Sequence, residues 1–365
     1  MSKFFVAATG QHQGKTTTTL GLCANLQYEG LNVGYCKPVG QKHLMHNGYI
    51  ADKDSILFSK MLDFELQPEL HSPVILGQGV TKEYLQDANQ FHFEEAILHA
   101  SKHLEAQHDA VIYEGTGHVG VGSVVNLSNA QVAKLLDSRA ILVVEGGVGN
   151  TIDQLALNVS LFKNEGVPVH GVIVNKVKPE KLDDIKEILT PKLLDMGIPP
   201  LGFIPYDRTL SFPILSTVNH AVKGKFLLHP DRMLNKVQEV MAGSLIEIDH
   251  FDEQEGIVLV VSYARFQEAI ERVIEKSKQL ELDQSPLAGI VVTGDGKHNR
   301  WFSAETFSHP YLMEHQIPLL ATQLETYDTV VMISRIEVKI NTDTPWKVRR
   351  AIHLFKEHID LQAFL

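Results

Sequence analysis

The chain has few cysteines, an excess of acidic over basic residues, and no long apolar run. Its two cysteines, Cys23 and Cys36, lack the spacing of a metal site, so we expect reduced, buried thiols in a cytoplasmic protein. The net charge of −11 disfavours nonspecific attraction to nucleic acid and to an anionic membrane. The first residues lack a secretory apolar segment, and no run approaches a membrane span. We therefore expect neither nucleic acid nor a membrane among the partners.

The first part of the 365-residue chain alternates short apolar runs with helical patterns. Near-continuous apolar runs are typical of strands in a parallel sheet that is covered on both faces. Alternating strands and helices predict an α/β domain with a doubly wound, mostly parallel sheet. Pro191 predicts a kink or a break in the last helix of this part. The predicted strands are 4–8, 32–36, 110–115, 140–147, 171–177 and 201–206, and the predicted helices are 15–28, 92–106, 129–137, 151–164 and 180–196.

The pattern changes after about residue 211, which predicts a first domain at 1–211 and a smaller α/β domain at 212–365. An acidic, polar stretch at about 243–256 is the predicted linker region. The elements predicted in the second domain are a helix near 232–242, strands in GIVLVVSY, AGIVVTG and IPLLATQ, a helix at about 265–280, a strand at 335–340 and a final helix from about 345. The final helix is predicted to carry Val348, Ile352, Phe355 and Ile359 on one apolar stripe.

The stretch ATGQHQGKTTTT, residues 8–19, follows the first strand and opens the first helix. Strand, glycine loop, Gly-Lys-Thr and helix form the context of a P-loop, which predicts a sheet of the P-loop NTPase type that holds the phosphates of a nucleotide together with Mg²⁺. Gly14 permits close approach of the backbone, Lys15 reaches the terminal phosphates, and Thr16 offers a hydroxyl to Mg²⁺. The strict spacing is not met, because Thr9 stands where the first glycine belongs and Gly10 follows one residue late. The alternative is a glycine turn with a chance lysine.

Side chains within the loop and after the third strand along the chain are further candidates. His12 and Gln13 line the loop, where they either contact phosphate or occupy variable positions. Glu114 ends an apolar strand, and Gly115 begins the glycine-rich turn that follows it. A carboxylate at this position can hold magnesium directly or through water.

Two more candidates lie beyond the second strand. Asp54 is either another magnesium ligand or the N-cap of a helix at 55–60. Lys37 follows the second strand, at the carboxyl edge of the predicted sheet and next to the loop. A cation at this position can neutralise charge on a transferring phosphoryl group. The alternative for Lys37 is a solvated surface lysine.

The motifs ATGQHQGKT, CKPVG, YEGTG, VIVNKV and GFIPY follow one another as in dethiobiotin synthetase, so residues 3–210 resemble that enzyme. It is an ATP- and Mg²⁺-dependent cyclo-ligase that closes a ureido ring through a carbamate and a mixed phosphoric anhydride. The resemblance implies a homodimer or a higher homo-oligomer, with Lys15 and Lys37 as catalytic cations. It also implies that Gly14, Lys15, Thr16 and Thr17 bind phosphate, that Thr16, Asp54 and Glu114 bind magnesium, that Asn175 meets the adenine, and that Pro205 and Tyr206 wall the base.

The stretch EGTGHVGVGSVVNLSNAQVAKLL resembles a subgroup more closely. This subgroup joins a dethiobiotin-synthetase-like ATPase to a DRTGG domain, as at the amino end of long phosphate acetyltransferases. The second part of the chain resembles the DRTGG domain, although the two motifs that name it read YAR at 263–265 and TGDG at 293–296. The resemblance implies the fold and the nucleotide more firmly than the reaction.

Three functions compete at this point. The first is an ATP-dependent ligase or phosphoryl-transfer enzyme acting on an unidentified small carboxylate or carbamate. The second is an ATP-responsive regulatory module whose DRTGG-like domain senses a ligand or a partner. The third, a guanine-nucleotide switch, is disfavoured because Lys178 stands where the aspartate after Asn175-Lys176 is expected. Asp153, near the position that resembles the substrate-carboxylate loop, disfavours diaminopelargonate as the acceptor.

Overall fold

The computed structural model describes residues 1–242, 255–294 and 302–365 and divides into two compact units. The first unit comprises Met1–Asp207 and Ile340–Leu365, and the second comprises Arg208–Lys339. This division differs from the predicted one, because the last 26 residues of the chain join the first unit instead of the second. Most of the predicted linker, residues 243–254, lies outside the described residues. The assignment of the two units as an ATPase domain and a DRTGG-like domain stays a prediction.

The first unit is built on a six-stranded sheet in the order β10-β9-β8-β1-β7-β2, in which all neighbours are parallel. The inner strands are buried along almost their whole length, which requires cover on both faces. This confirms the doubly wound, mostly parallel sheet and its six predicted strands. The strands of the unit are β1 (Ser2–Ala8), β2 (Val33–Cys36), β3 (Val39–Gly40), β4 (His43–His46), β5 (Tyr49–Asp52), β6 (Val74–Ile75), β7 (Ala110–His118), β8 (Arg139–Glu145), β9 (Val169–Val177) and β10 (Pro200–Pro205).

The helices of the first unit include all five that the sequence predicts. One of them, α8, runs through Pro191 without ending there, so a break at this proline is wrong. Leu189 and Leu193 on either side of the proline are buried in the core, and this packing holds both halves of the helix in place. The helices are α1 (Lys15–Tyr28), α2 (Lys53–Leu62), α3 (Pro68–His71), α4 (Val80–Gln86), α5 (Phe93–Gln107), α6 (Asn129–Leu135), α7 (Gly149–Asn164) and α8 (Leu182–Asp195).

The second unit contains a five-stranded sheet in the order β11-β15-β14-β13-β12, in which only the β11–β15 pair is antiparallel among the described residues. The three apolar strands and the helix at 265–280 are confirmed. The strands are β11 (Lys225–Leu228), β12 (Glu239–Ala242), β13 (Ile257–Ser262), β14 (Leu287–Thr293) and β15 (Leu319–Thr322), and the helices are α9 (Leu215–Ala221), α10 (Phe266–Gln279), α11 (Pro310–Glu314) and α12 (Thr326–Ser334).

Two predictions in the second unit are wrong. The expected helix near 232–242 does not form: residues 233–238 are turn and irregular chain, and residues 239–242 are strand β12. Val240 and Met241 face two different cores, and β12 pairs in parallel with β13. The expected strand at 335–340 is irregular and pairs with no described strand, although its residues alternate in exposure. Of the two degraded motifs, 263–265 forms a short helical turn after β13, and residues 295 and 296 of the other lie outside the described residues.

The final helix, α13 (Pro345–His358), packs on α1 of the first unit. A Cβ added at Gly21 of α1 would lie only 2.5 Å from Phe355, so a glycine is needed for the helices to approach this closely. Asn25 Nδ2 donates a hydrogen bond to the carbonyl of Ile352 at 3.1 Å. The predicted apolar stripe exists, with Val348 and Phe355 buried. The final helix therefore completes the first unit.

Two further sequence expectations concern thiols and membranes. Cys23 and Cys36 are free and buried, as expected. Among the helices that the structure describes, none has the length and apolar character needed to cross a membrane.

Candidate functional site

The loop at residues 9–14 joins β1 to α1 at the carboxyl edge of the sheet, as the P-loop motif predicts. Gly14 immediately precedes α1 with a left-handed φ of 90°. A Cβ at this position would overlap the Nδ2 of Asn175, so the loop conformation requires glycine. Lys15, Thr16 and Thr17 form the first turn of α1 and are all partly buried. The start of α1 therefore faces the same edge as the ends of the strands.

Two side chains at the end of β9 donate hydrogen bonds to the loop. Asn175 Nδ2 donates to the carbonyl of Gln13 at 2.8 Å, and Lys176 Nζ donates to the carbonyl of His12 at 2.5 Å. Both tethers use carbonyl oxygens, so neither occupies a loop N–H that an anion would need. The predicted contact of Asn175 with adenine stays a prediction, while its contact with the loop was not foreseen. Lys176 was missed as a loop contact, because a lysine after a strand carries no signal of its partner.

Glu114 lies near the end of β7, is fully buried, and receives a hydrogen bond on each carboxylate oxygen. Thr16 Oγ1 donates to Oε1 at 2.7 Å, and Tyr35 OH donates to Oε2 at 3.0 Å. Burial raises the pKa of Glu114 above its ordinary value, whereas the charges of Lys37 and Lys15 act in the opposite direction. The contact between Thr16 and Glu114 brings together two of the three predicted magnesium ligands.

Lys37 follows β2, is 7% exposed, and forms ion pairs with two aspartates. One partner is Asp54 Oδ2, and the other is Asp52 Oδ1 at 3.3 Å. Burial lowers the pKa of Lys37, but the surrounding carboxylates, with Asp54 the strongest, outweigh burial and hold the pKa above its ordinary value. Lys37 is therefore a buried cation at neutral pH, and the alternative of a solvated surface lysine is wrong.

Asp54 lies in the first turn of α2, and the N-cap of that helix is Asp52, whose side chain accepts from the Asp54 N–H at 2.9 Å. The alternative reading of Asp54 as the N-cap is therefore wrong. Asp52 is 1% exposed, and burial raises its pKa despite the opposing charge of Lys37. The sequence signal that would have identified Asp52 is the ADKD spacing, which offers a capping side chain two residues before Asp54.

The segment after Glu114, predicted as a glycine-rich turn, continues β7 to His118 and is hydrogen-bonded to Lys15 and to Asn129. Lys15 Nζ donates to the carbonyl of Gly117 at 3.0 Å. Asn129 accepts from the N–H of Thr116 and donates back to its carbonyl, both at 3.0 Å. A Cβ at Gly115 would lie 2.7 Å from the Asn129 side chain, so this position also requires glycine. Gly115 thus allows β7 to pack closely against Asn129, and its predicted contact with ATP stays a prediction.

Pro205 and Tyr206 lie at the end of β10, beside the end of β9. The N–H of Tyr206 donates to the carbonyl of Val177 at 2.7 Å, and its side chain is 44% exposed. Asp207, the next residue, pairs with Arg350 of α13 at 2.5 Å. The two predicted base-wall residues therefore lie at the carboxyl edge of the sheet, and their contact with a base stays a prediction.

The donor set around the loop fits magnesium. Thr16, Glu114 and Asp54 offer only oxygen atoms, which are the ligands of hard cations. Within the described residues, no group of three or more His, Cys, Asp or Glu forms a ready-made metal cluster.

Comparison with known proteins agrees with this geometry. A family model described as an AAA domain matches residues 2–213. A phosphate acetyltransferase of Nitrosomonas europaea is 25% identical over 381 residues, covering 98% of this chain and 50% of the relative. A probable cobyric acid synthase of Methanocaldococcus jannaschii is 26% identical over 58% of this chain and 47% of the relative. An ATP-dependent dethiobiotin synthetase of Thermodesulfovibrio yellowstonii is 26% identical over 56% of this chain and 88% of the relative.

These similarities confirm the resemblance to dethiobiotin synthetase and to part of phosphate acetyltransferase, and the resemblance of the second part to a DRTGG domain stays a prediction. The chain spans about half the length of the first of these curated relatives, the phosphate acetyltransferase. The part that resembles dethiobiotin synthetase is, in contrast, similar to nearly the whole of that relative.

Proposed function

The chain belongs to the AAA domain family, and from that premise we propose that its first unit binds Mg·ATP and activates a small carboxylate or carbamate by phosphoryl transfer. The product of this step is a mixed phosphoric anhydride, so the enzyme is an ATP-dependent ligase of the dethiobiotin-synthetase type. The acceptor oxygen forms a bond to the γ-phosphorus, the bond between that phosphorus and the bridging oxygen breaks, and ADP leaves. A nucleophile then displaces phosphate from the anhydride.

One observation carries the proposal, namely the buried cation Lys37 beside the phosphate loop. Lys37 is 7% exposed and paired with two carboxylates, so its charge is held in the site at a cost in desolvation free energy. A role of that charge in the reaction would account for its burial. Phosphoryl transfer needs positioned positive charge, because the reaction proceeds by alignment and by electrostatic stabilisation of the phosphoryl oxygens. Lys37 supplies that charge from the acceptor side, and Lys15 supplies it from the loop side.

The remaining site residues bind and orient ATP in this proposal. When bound, magnesium neutralises charge on the phosphate oxygens. The start of α1 receives the phosphates through its N–H groups and its dipole. The ATP contacts are Gly10, His12, Gln13, Gly14, Lys15, Thr16, Thr17 and Gly115 around the phosphates, Thr16, Asp54 and Glu114 around Mg²⁺, and Asn175, Pro205 and Tyr206 around the base.

The test is ADP formation by the full chain with a panel of small carboxylates, and with amines in the presence of bicarbonate. Lys37→Arg keeps a cation but changes its reach and shape, so we expect ATP binding to persist while kcat falls about 10²-fold, because the charge is displaced from its working position. Lys42→Arg is the matched control, because Lys42 lies in an exposed segment five residues further on. Tight ATP binding with no ADP formation for any acceptor would contradict the enzymatic proposal.

A second candidate function is an ATP-responsive regulatory module. It is favoured by the similarity that extends over 98% of this chain to half of a phosphate acetyltransferase, since such a match includes the second unit. In this reading the chain forms a homodimer or a higher homo-oligomer. ATP binding then changes either this assembly or the contact of the chain with a cytoplasmic partner. Sedimentation with and without Mg·ATP tests it, and an unchanged assembly together with turnover of an acceptor would rule it out.

A further inference from the structure

Tyr35 of β2 is a buried side chain that no motif singles out, and its hydroxyl contacts the carboxylate of Glu114. We propose that Tyr35 is a positioning residue for magnesium: it fixes the orientation of Glu114 and supports the helix that carries Asp54. The inference rests on the proposed function, because it concerns how the chain holds the Mg²⁺ of Mg·ATP.

The first argument concerns the carboxylate. The terminal torsion of a glutamate is broad, so its carboxylate turns freely unless donors fix it. Thr16 donates to one oxygen of Glu114 at 2.7 Å and Tyr35 donates to the other at 3.0 Å. Each carboxylate oxygen has a second lone pair, which stays available to a cation. Two donors on opposite oxygens therefore set the plane in which Glu114 presents its free lone pairs.

The second argument concerns the ring of Tyr35. It stacks on Phe58 with the ring centroids 3.8 Å apart and an angle of 12° between the planes. Phe58 lies in α2 and is fully buried, and the first turn of the same helix carries Asp54. One side chain thus touches the first predicted carboxylate ligand directly and braces the helix of the second.

The third argument concerns burial. Tyr35 is 1% exposed and Glu114 is fully buried, so water does not replace a lost hydrogen bond between them. Removing the hydroxyl leaves a buried carboxylate oxygen without its donor, which is unfavourable. Partners of metal ligands that orient them in this way typically change metal affinity by about 10–100-fold when they are removed.

The experiment compares calorimetric titrations of ATP into the full chain with and without Mg²⁺, for the wild type, Tyr35→Phe and Tyr113→Phe. Tyr113 is the matched control, because it precedes Glu114 on β7, is fully buried, and directs its hydroxyl to Ser101 at 2.7 Å. Both variants therefore lose one buried phenol oxygen from the same sheet. A role in stability alone would affect the two variants alike.

We expect Tyr35→Phe to bind metal-free ATP as the wild type does. The Mg²⁺ concentration that gives half of the maximal increase in ATP affinity should rise about 10–100-fold in this variant. Tyr113→Phe should keep the wild-type dependence on Mg²⁺. If the wild type responds to Mg²⁺ and Tyr35→Phe responds equally well, the inference is overturned while the proposed function stands. Equal weakening in both variants also overturns the inference, and a wild type that ignores Mg²⁺ overturns both the inference and the proposed function.

Discussion

Replacing Lys37 by methionine tests whether its ion pairs are as buried as the structure shows. Breaking a buried pair by removing one partner typically costs about 3–5 kcal/mol of unfolding free energy. Asp52 keeps only 1% of its side-chain surface exposed, so it cannot recover water, whereas Asp54 keeps 25% and can recover part of it. We therefore expect the lower end of that range, about 3 kcal/mol at pH 7.

The loss in Lys37→Met should also depend on pH. Burial already raises the pKa of Asp52 and of Glu114 in the folded chain, and removal of the lysine charge raises both further. A carboxyl group with a raised folded-state pKa disfavours folding once the pH exceeds its unfolded pKa of about 4. The penalty grows as the pH rises from there toward the folded-state pKa, so the variant should recover part of its stability at pH 5.

Urea denaturation at pH 5 and pH 7 measures both effects, with Lys42→Met as the control because Lys42 is exposed. The control removes the same charge and should change the unfolding free energy by less than about 0.5 kcal/mol. A loss in Lys37→Met below about 1 kcal/mol, the range of an exposed ion pair, would refute the reasoning. So would a loss that is the same at both pH values.

Three further predictions concern the loop and the final helix. Gly14→Ala places a Cβ on Asn175 at a left-handed φ, and the resulting displacement should lower ATP affinity about 10²-fold by calorimetry. Lys176→Met removes the hydrogen bond to the carbonyl of His12. ATP affinity should fall, while the unfolding free energy in urea should change by no more than about 0.5 kcal/mol. Unchanged affinity would show that this hydrogen bond does not shape the loop for ATP. Phe355→Ala should cost about 3–5 kcal/mol in urea denaturation, because the ring is 1% exposed; a near-neutral result would place α13 outside the core.

Much of the first unit follows from its sequence because local and global signals agree there. Six apolar runs became six parallel strands, and the strand, loop and helix at residues 2–28 appear as the motif predicts. The carboxyl ends of parallel strands meet at one edge, and this rule correctly places Lys37 and Glu114 near the start of α1.

The errors occur where the partner of a segment decides its structure. Residues 239–242 have a spacing that also suits a helix, but pairing with β13 makes them a strand. Residues 335–340 alternate like a strand but have no strand partner among the described residues. The stripe on α13 predicts a helix correctly, yet periodicity does not identify α1 as the surface it covers.

Contacts between distant side chains account for the site residues that the sequence did not reveal. Tyr35 reaches Glu114 across 79 positions and Lys176 reaches His12 across 164 positions. Neither residue type has a spacing that points to its partner, since each contact depends on the order of strands in the sheet. Asp52 differs, because its capping contact with Asp54 is local and its ADKD spacing is visible in the sequence.

The central claim is that the loop after β1 binds the phosphates of ATP with Mg²⁺. Calorimetric titration of Mg·ATP into the wild type and into Lys15→Met tests it most directly, because Lys15 opens α1 at the end of this loop. The account predicts saturable binding to the wild type and a loss of that binding in Lys15→Met. Equal binding by both proteins, or no binding by the wild type, would contradict it.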